Sequence, residues 1–136
     1  MTENEIAKKI LDSAFAIHTK LGPGLLESVY EVVLAHELKK SGLVVERQKP
    51  MPIVYGGKRF DEAYRADLLI NSKVIVELKP VETLTPLHAE QVLTQLRMSD
   101  LKLGLLINFG EAHLKNGIRR LTNGHLDESP SSDFSL

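Results

Sequence analysis

Two short apolar runs separated by a helical segment narrow the possible folds most. Lys102 to Phe109 (KLGLLINF) is nearly unbroken apolar sequence, as a strand covered on both faces requires. Lys73 to Lys79 (KVIVELK) is the other run, ended by Pro80, which has no backbone N–H to offer a sheet. Between them Thr85-Pro86 has the form of a helix start, and Ala89, Val92, Leu93, Leu96 and Met98 face inward up to Ser99. A helix joining two strands of one sheet is a crossover, so the pattern predicts parallel pairing.

The rest of the chain supplies partners for that unit. Thr2 and Glu5 have capping-box spacing, and Ile6, Ile10, Ala14, Ile17 and Leu21 recur at helical steps, with Leu11 and Phe15 widening the stripe. Gly22-Pro23-Gly24 stops this helix. A second is predicted from about Leu25 to Lys40, with Leu26, Val29, Val33 and Leu38 inward and Tyr30 and Leu34 beside them. Strands are predicted at Leu43–Gln48, Pro52–Tyr55, Tyr64–Ile70, Lys73–Lys79 and Lys102–Phe109, with a short last one at Ile118–Thr122. Asn71-Ser72 has the length of a hairpin turn. The expected order is α-α-β-β-β-β-α-β-(β), an α/β domain with a mixed central sheet flanked by helices. It spans residues 1–126 as one domain, followed by a polar, disordered tail at 127–136.

Composition excludes several classes. The chain has 136 residues, 17 Lys and Arg against 18 Asp and Glu, and no Cys. Disulfides, thiolate zinc sites and a cysteine nucleophile are therefore out. A net charge of −1 leaves room for a local basic patch but not for a polybasic coat. No apolar run approaches the ~20 residues of a bilayer span. The start, MTENEIAKK, has no apolar signal core. A soluble, cytoplasmic protein with no membrane partner is expected.

The polar residues within the strands carry the chemistry. Alternation puts Lys73, Ile75, Glu77 and Lys79 on one face and Val74, Val76 and Leu78 on the other. The hairpin folds the preceding strand back, and a spacing of ten lets Asp67 meet Glu77 across it. Two half-buried carboxylates need a shared proton or a cation. Mg²⁺ or Mn²⁺ suits hard oxygen ligands, and Lys79 can stabilise charge on an attacking hydroxide or a phosphorane-like transition state. The pattern Asp…Glu-x-Lys thus suits phosphodiester cleavage. From spacing alone, a Glu77–Lys79 ion pair on a solvated face, with Asp67 in a turn, has equal weight.

Gly24-Leu25-Leu26-Glu27-Ser28-Val29-Tyr30 resembles the G-x-x-E-x-x-Y signature of the bacterial GxxExxY proteins, a family placed in the PD-(D/E)xK nuclease superfamily. The likeness runs from about Ile10 to Leu121, through His18–Gly24, Tyr64–Leu68, Val76–Lys79 and Gly104–Phe109. It implies a restriction-endonuclease-like α-β-β-β-α-β core, with Asp67 and Glu77 as metal ligands and Lys79 as the catalytic lysine. It also implies Glu27 as a further metal-binding carboxylate, although Glu27 equally suits a first-turn helix charge. Gln91 matches a glutamine that similar proteins carry on the helix after the lysine strand; the tyrosine expected four residues later is Gln95 here.

Tyr30 is expected to pack, its hydroxyl reaching a polar partner such as a site carboxylate. Arg65 shares the Asp67 face and is expected to pair with it or to contact phosphate. Arg119 and Arg120 are either a groove edge or solvated strand residues. Among the five histidines only His88, one turn before Gln91, merits attention. Two functions follow. One is a metal-dependent nuclease, with DNA ahead of RNA as substrate and a homodimer or partner protein completing recognition. The other is a catalytically weak binding or assembly module on the same fold. A hydrolase of small phosphate compounds stands third.

Overall fold

The structure, a computed structural model, describes residues 1–126. The expected polar tail, residues 127–136, lies outside the described residues. The elements are α1 (Glu3–Leu21), α2 (Glu27–Lys40), β1 (Val45–Tyr55), β2 (Lys58–Ile70), β3 (Val74–Leu78), α3 (Pro86–Ser99), β4 (Leu103–Ile107), a 3₁₀ turn (Leu114–Gly117) and β5 (Ile118–Thr122). The five strands form one sheet in the order β1-β2-β3-β4-β5. Every pair is antiparallel except β3–β4, the pair joined by the α3 crossover. This is the mixed α/β architecture expected from the sequence, restriction-endonuclease-like in kind.

Three layers result. α1 and α2 cover one face of the sheet, packing Ile6, Ile10, Tyr30, Leu34 and Leu38 against Leu68, Val76 and Leu105. α3 covers the other, packing Val92 and Leu96 against Leu69 and Ile75. Gly104 allows the close approach of α3, since a Cβ there would lie 2.7 Å from Val92 Cγ1. Local signals fix the helix ends. Thr2 and Glu5 make the predicted capping box on α1, and Thr85 caps α3 with Pro86 at its first position.

Three expectations are corrected. The strands predicted on either side of Pro50 and Pro52 are a single strand. β1 lies at the sheet edge, where a proline's missing N–H removes no ladder bond. The register shifts between Met51 and Ile53. β2 likewise runs unbroken from Lys58, so β1 and β2 form a long ribbon that is exposed from Val54 to Ala63. Secondly, α2 is rotated from its predicted setting. It buries Tyr30, Glu31, Leu34, Ala35 and Leu38, and leaves Leu26 74% and Val29 38% exposed. Both stripes are apolar, and the one carrying the large aromatic ring wins the core. Thirdly, Phe15 of α1 is exposed. No helix among the described residues is long and apolar enough to cross a membrane.

Candidate active site

The β2–β3 register decides what faces what. Leu68 pairs with Val76, Leu69 with Ile75 and Ile70 with Val74. The paired register ends at Leu68 and Val76, one step short of Asp67 and Glu77. Alternation breaks at this point of β2: Tyr64, Ala66 and Leu69 pack in the cluster under α3, Leu68 and Ile70 in the cluster under α1 and α2. The turn that sets the register has Asn71 and Ser72 both at positive φ, with the Lys73 N–H donating to the Ile70 carbonyl at 2.9 Å. Beyond Leu68 the strands part, and the Leu78 N–H donates to Asp67 Oδ2 at 2.9 Å. A backbone donor of β3 is thereby satisfied by a side chain of β2.

Both carboxylates are withdrawn from solvent, Asp67 at 9% and Glu77 at 5% exposure. Burial, the neighbouring Asp67 carboxylate and a hydrogen bond with it push Glu77 up to about 9, against the pull of Lys79. Glu77 Oε1 is buried and has no hydrogen-bond partner among the described residues. Glu27, half-buried in the first turn of α2, is also raised, by burial first and then by Asp67, with Lys79 again opposing. Asp67 and Lys79 therefore act on both Glu77 and Glu27, so the four groups lie near one another.

The glycine–glutamate–tyrosine signature acts as a loop-to-helix device. Gly24 sits at φ +109°, a backbone conformation that side chains rarely allow. Tyr30 is fully buried and stacks on Phe109 with ring centroids 4.6 Å apart. Its hydroxyl donates to the Gly22 carbonyl (2.6 Å) and accepts from the Leu25 N–H (3.1 Å). Its polar partner is thus the loop backbone and not a site carboxylate, and it fixes the entry to the helix that carries Glu27. On the far side, Asn108 Oδ1 accepts from Val81 N–H (3.0 Å) and Gly110 N–H (2.9 Å), holding the loop that follows Lys79.

Several sequence candidates stand elsewhere. Arg65 pairs with Glu62 and not with Asp67. Gln91 is exposed and lines a cleft of about 480 Å³ between α3 and the β1–β2 ribbon, beside Tyr64 and Gln95. No hydrogen bond joins it to the carboxylates among the described residues. The Thr85 N–H donates to His88 Nδ1 at 3.0 Å, so His88 closes the start of α3. Arg119 bonds the backbone carbonyls of Asn116 and Ile118, while Arg120 is tied to Asn4 of α1.

Three residues beside the site escaped sequence reasoning. Glu31 is 3% exposed, and its Oε2 accepts from Arg47 Nε (3.2 Å) and Nη2 (3.0 Å). Gln48 Nε2 donates to Glu31 Oε1 (2.6 Å) and to Asp67 Oδ1 (3.2 Å). The available signal was Glu31 itself, a carboxylate between Tyr30 and Leu34 on an otherwise apolar helix face.

The donor set suits a hard divalent cation: carboxylate oxygens, one of them buried and unpartnered, with a positive side chain close by but none bonded to Glu77. Asp67 and Glu77 would hold such an ion, with Glu27 as the adjacent third carboxylate. Among the described residues no group of three or more His, Cys, Asp or Glu side chains is arranged as a ready ligand set. A model of the PD-(D/E)XK nuclease superfamily matches residues 4–121. No curated protein and no solved structure matches the chain.

Proposed function

The chain belongs to the PD-(D/E)XK nuclease superfamily, and on that premise we propose that it is a metal-dependent phosphodiester hydrolase acting on nucleic acid, DNA ahead of RNA. Within the superfamily, Gly24, Glu27 and Tyr30 align it with the GxxExxY proteins. The observation that carries the reading is the buried Asp67–Glu77 pair. Two neighbouring carboxylates at this depth are a standing electrostatic cost unless a proton or a cation lies between them. An apolar pair would serve the fold better.

Divalent ions, which nucleases of this superfamily generally use, polarise a phosphodiester and acidify bound water when present. The protein's own residues do the rest. Asp67 and Glu77 present hard oxygens, and Glu27 adds a third carboxylate from the opposite layer. Burial and the Asp67 carboxylate favour a protonated Glu77 at neutral pH, and a bound cation would favour its ionised form, the proton passing to solvent. Lys79, just past the end of β3, stabilises charge growing on the phosphate oxygens and orients the attacking water. With net charge −1, nucleic acid is held by a local patch, so binding weakens steeply with salt.

Purified protein with Mg²⁺ or Mn²⁺ is expected to cut DNA. Lys79→Ala should lower the rate by about 10²–10³-fold while the circular dichroism spectrum is unchanged. Cutting at the wild-type rate by that variant removes the lysine role. A second reading, a binding or assembly module without chemistry, draws on the lack of a ready three-residue ligand set among the described residues. Calorimetry with Mn²⁺ separates the two, since only the nuclease binds the ion.

A further inference from the structure

Asp67 is gripped at both oxygens, and the two grips differ in origin. Oδ2 takes a backbone N–H from β3, which the sheet supplies wherever the strands lie. Oδ1 takes the side-chain amide of Gln48, which depends on a single residue of the edge strand. Gln48 sits at φ +48°, in the left-handed region that a glutamine avoids. Arg47 pairs with Leu68 and Lys49 with Ala66, so the register is kept across Gln48, but the faces invert there: Val45 and Leu68 pack on the α1–α2 side, Met51 and Ala66 on the α3 side. At that rung the Gln48 side chain places both amide N–H groups, one on Glu31 Oε1 and one on Asp67 Oδ1. Glu31 is in turn held by the Arg47 guanidinium through two N–H groups on Oε2. Arg47 and Gln48, adjacent in sequence, thus close on one buried carboxylate of α2, and the remaining amide hydrogen reaches the site.

We propose that Gln48 is a positioning residue: braced on the Glu31–Arg47 pair, its side-chain amide fixes the rotamer in which Asp67 faces Glu77. The claim deepens the nuclease reading by naming what sets the geometry of its first carboxylate. It also has content independent of catalysis, because the rotamer of Asp67 is measurable in the metal-free protein. Residues that orient a ligating carboxylate typically change metal affinity by about 10- to 100-fold when removed.

The test uses labelled full-length protein, three-bond N–Cγ and C′–Cγ couplings at Asp67, and calorimetric titration with Mn²⁺. Wild type should show one Asp67 rotamer. Gln48→Gly accepts the positive φ and loses the amide; it should show averaged couplings and about 10- to 100-fold weaker Mn²⁺ binding, with a thermal midpoint equal to or above wild type. Gln48→Met keeps the chain length and removes both donors, and should lose affinity to the same degree. Unchanged couplings in both variants overturn the proposal, as do averaged couplings with wild-type affinity. A lower midpoint in Gln48→Gly together with weaker binding also overturns it, since it would make Gln48 a support of the fold. If wild type binds no Mn²⁺, the nuclease reading falls, and the couplings alone then decide whether Gln48 positions Asp67.

Discussion

The hairpin of β2 and β3 contains two regions that lie one rung apart and obey opposite rules. In the closed region Leu68, Ile70, Val74 and Val76 are all fully buried and wholly apolar, and the strands stay paired. In the open region Asp67 and Glu77 are nearly as buried, yet they are acidic and the strands part. The two regions share the same two strands and are neighbours along each. Side-chain chemistry and lost pairing together separate a segment that stabilises the sheet from one that strains it. Folding free energy is supplied by the first, and the second is carried because the first is large enough to carry it.

The comparison breaks most readily in the closed region. Leu68→Ala should lower unfolding free energy by about 2–5 kcal/mol in urea titration, because the surrounding core on the α1–α2 side does not collapse into the space. A loss below 1 kcal/mol would show that this region is not the anchor.

The open region should respond with the opposite sign. Glu77 has a folded-state pKa of about 9 against an ordinary 4.5, so the metal-free folded protein binds the extra proton between those values. Its contribution is fully present below about pH 4.5 and is lost as pH rises toward 9. Glu77→Gln should therefore match wild type near pH 4.5 and exceed it at pH 8 by on the order of one to a few kcal/mol, while losing cleavage. Added Mn²⁺ should narrow that gap by stabilising wild type only. Equal stabilities at pH 8 without metal would mean that the pair is not in conflict.

The smallest expected effect sharpens the boundary. Tyr30→Phe keeps the stack on Phe109 and leaves the Gly22 carbonyl and Leu25 N–H without their shared partner. About 1 kcal/mol of stability should be lost in the same urea assay. A much larger loss would place Tyr30 with the core rather than with the entry to the site.

Period and punctuation made much of this legible from the sequence. The Thr85-Pro86 helix start and the run Leu103–Ile107 required a crossover, and hairpin arithmetic brings Asp67 near Glu77, although the period of two breaks at Asp67. What stayed hidden depends on neighbours that sequence does not name. Pro50 and Pro52 look like strand breakers until β1 is known to be an edge. α2 offers two apolar stripes, and only packing chooses Tyr30 and Leu34 over Leu26 and Val29. Arg65 finds Glu62 on its own strand before it can reach Asp67. The positive φ of Gln48 and its link to Glu31 have no local signature, because they exist only once an edge strand lies against α2.

The ribbon of β1 and β2 gives the molecule a beam that projects from a much narrower sheet. β2 is bonded to β3 only from Leu68 to Ile70, while its pairing with β1 continues to Lys58. A load on such a beam bends it most where it is held, which without further support would be at Asp67 itself. Tyr64 alters that: its hydroxyl is bonded to Ser99 and to the Gln95 carbonyl of α3. That phenol is a tie placed outboard of the root, anchoring the ribbon to the helix before the chain reaches the carboxylates.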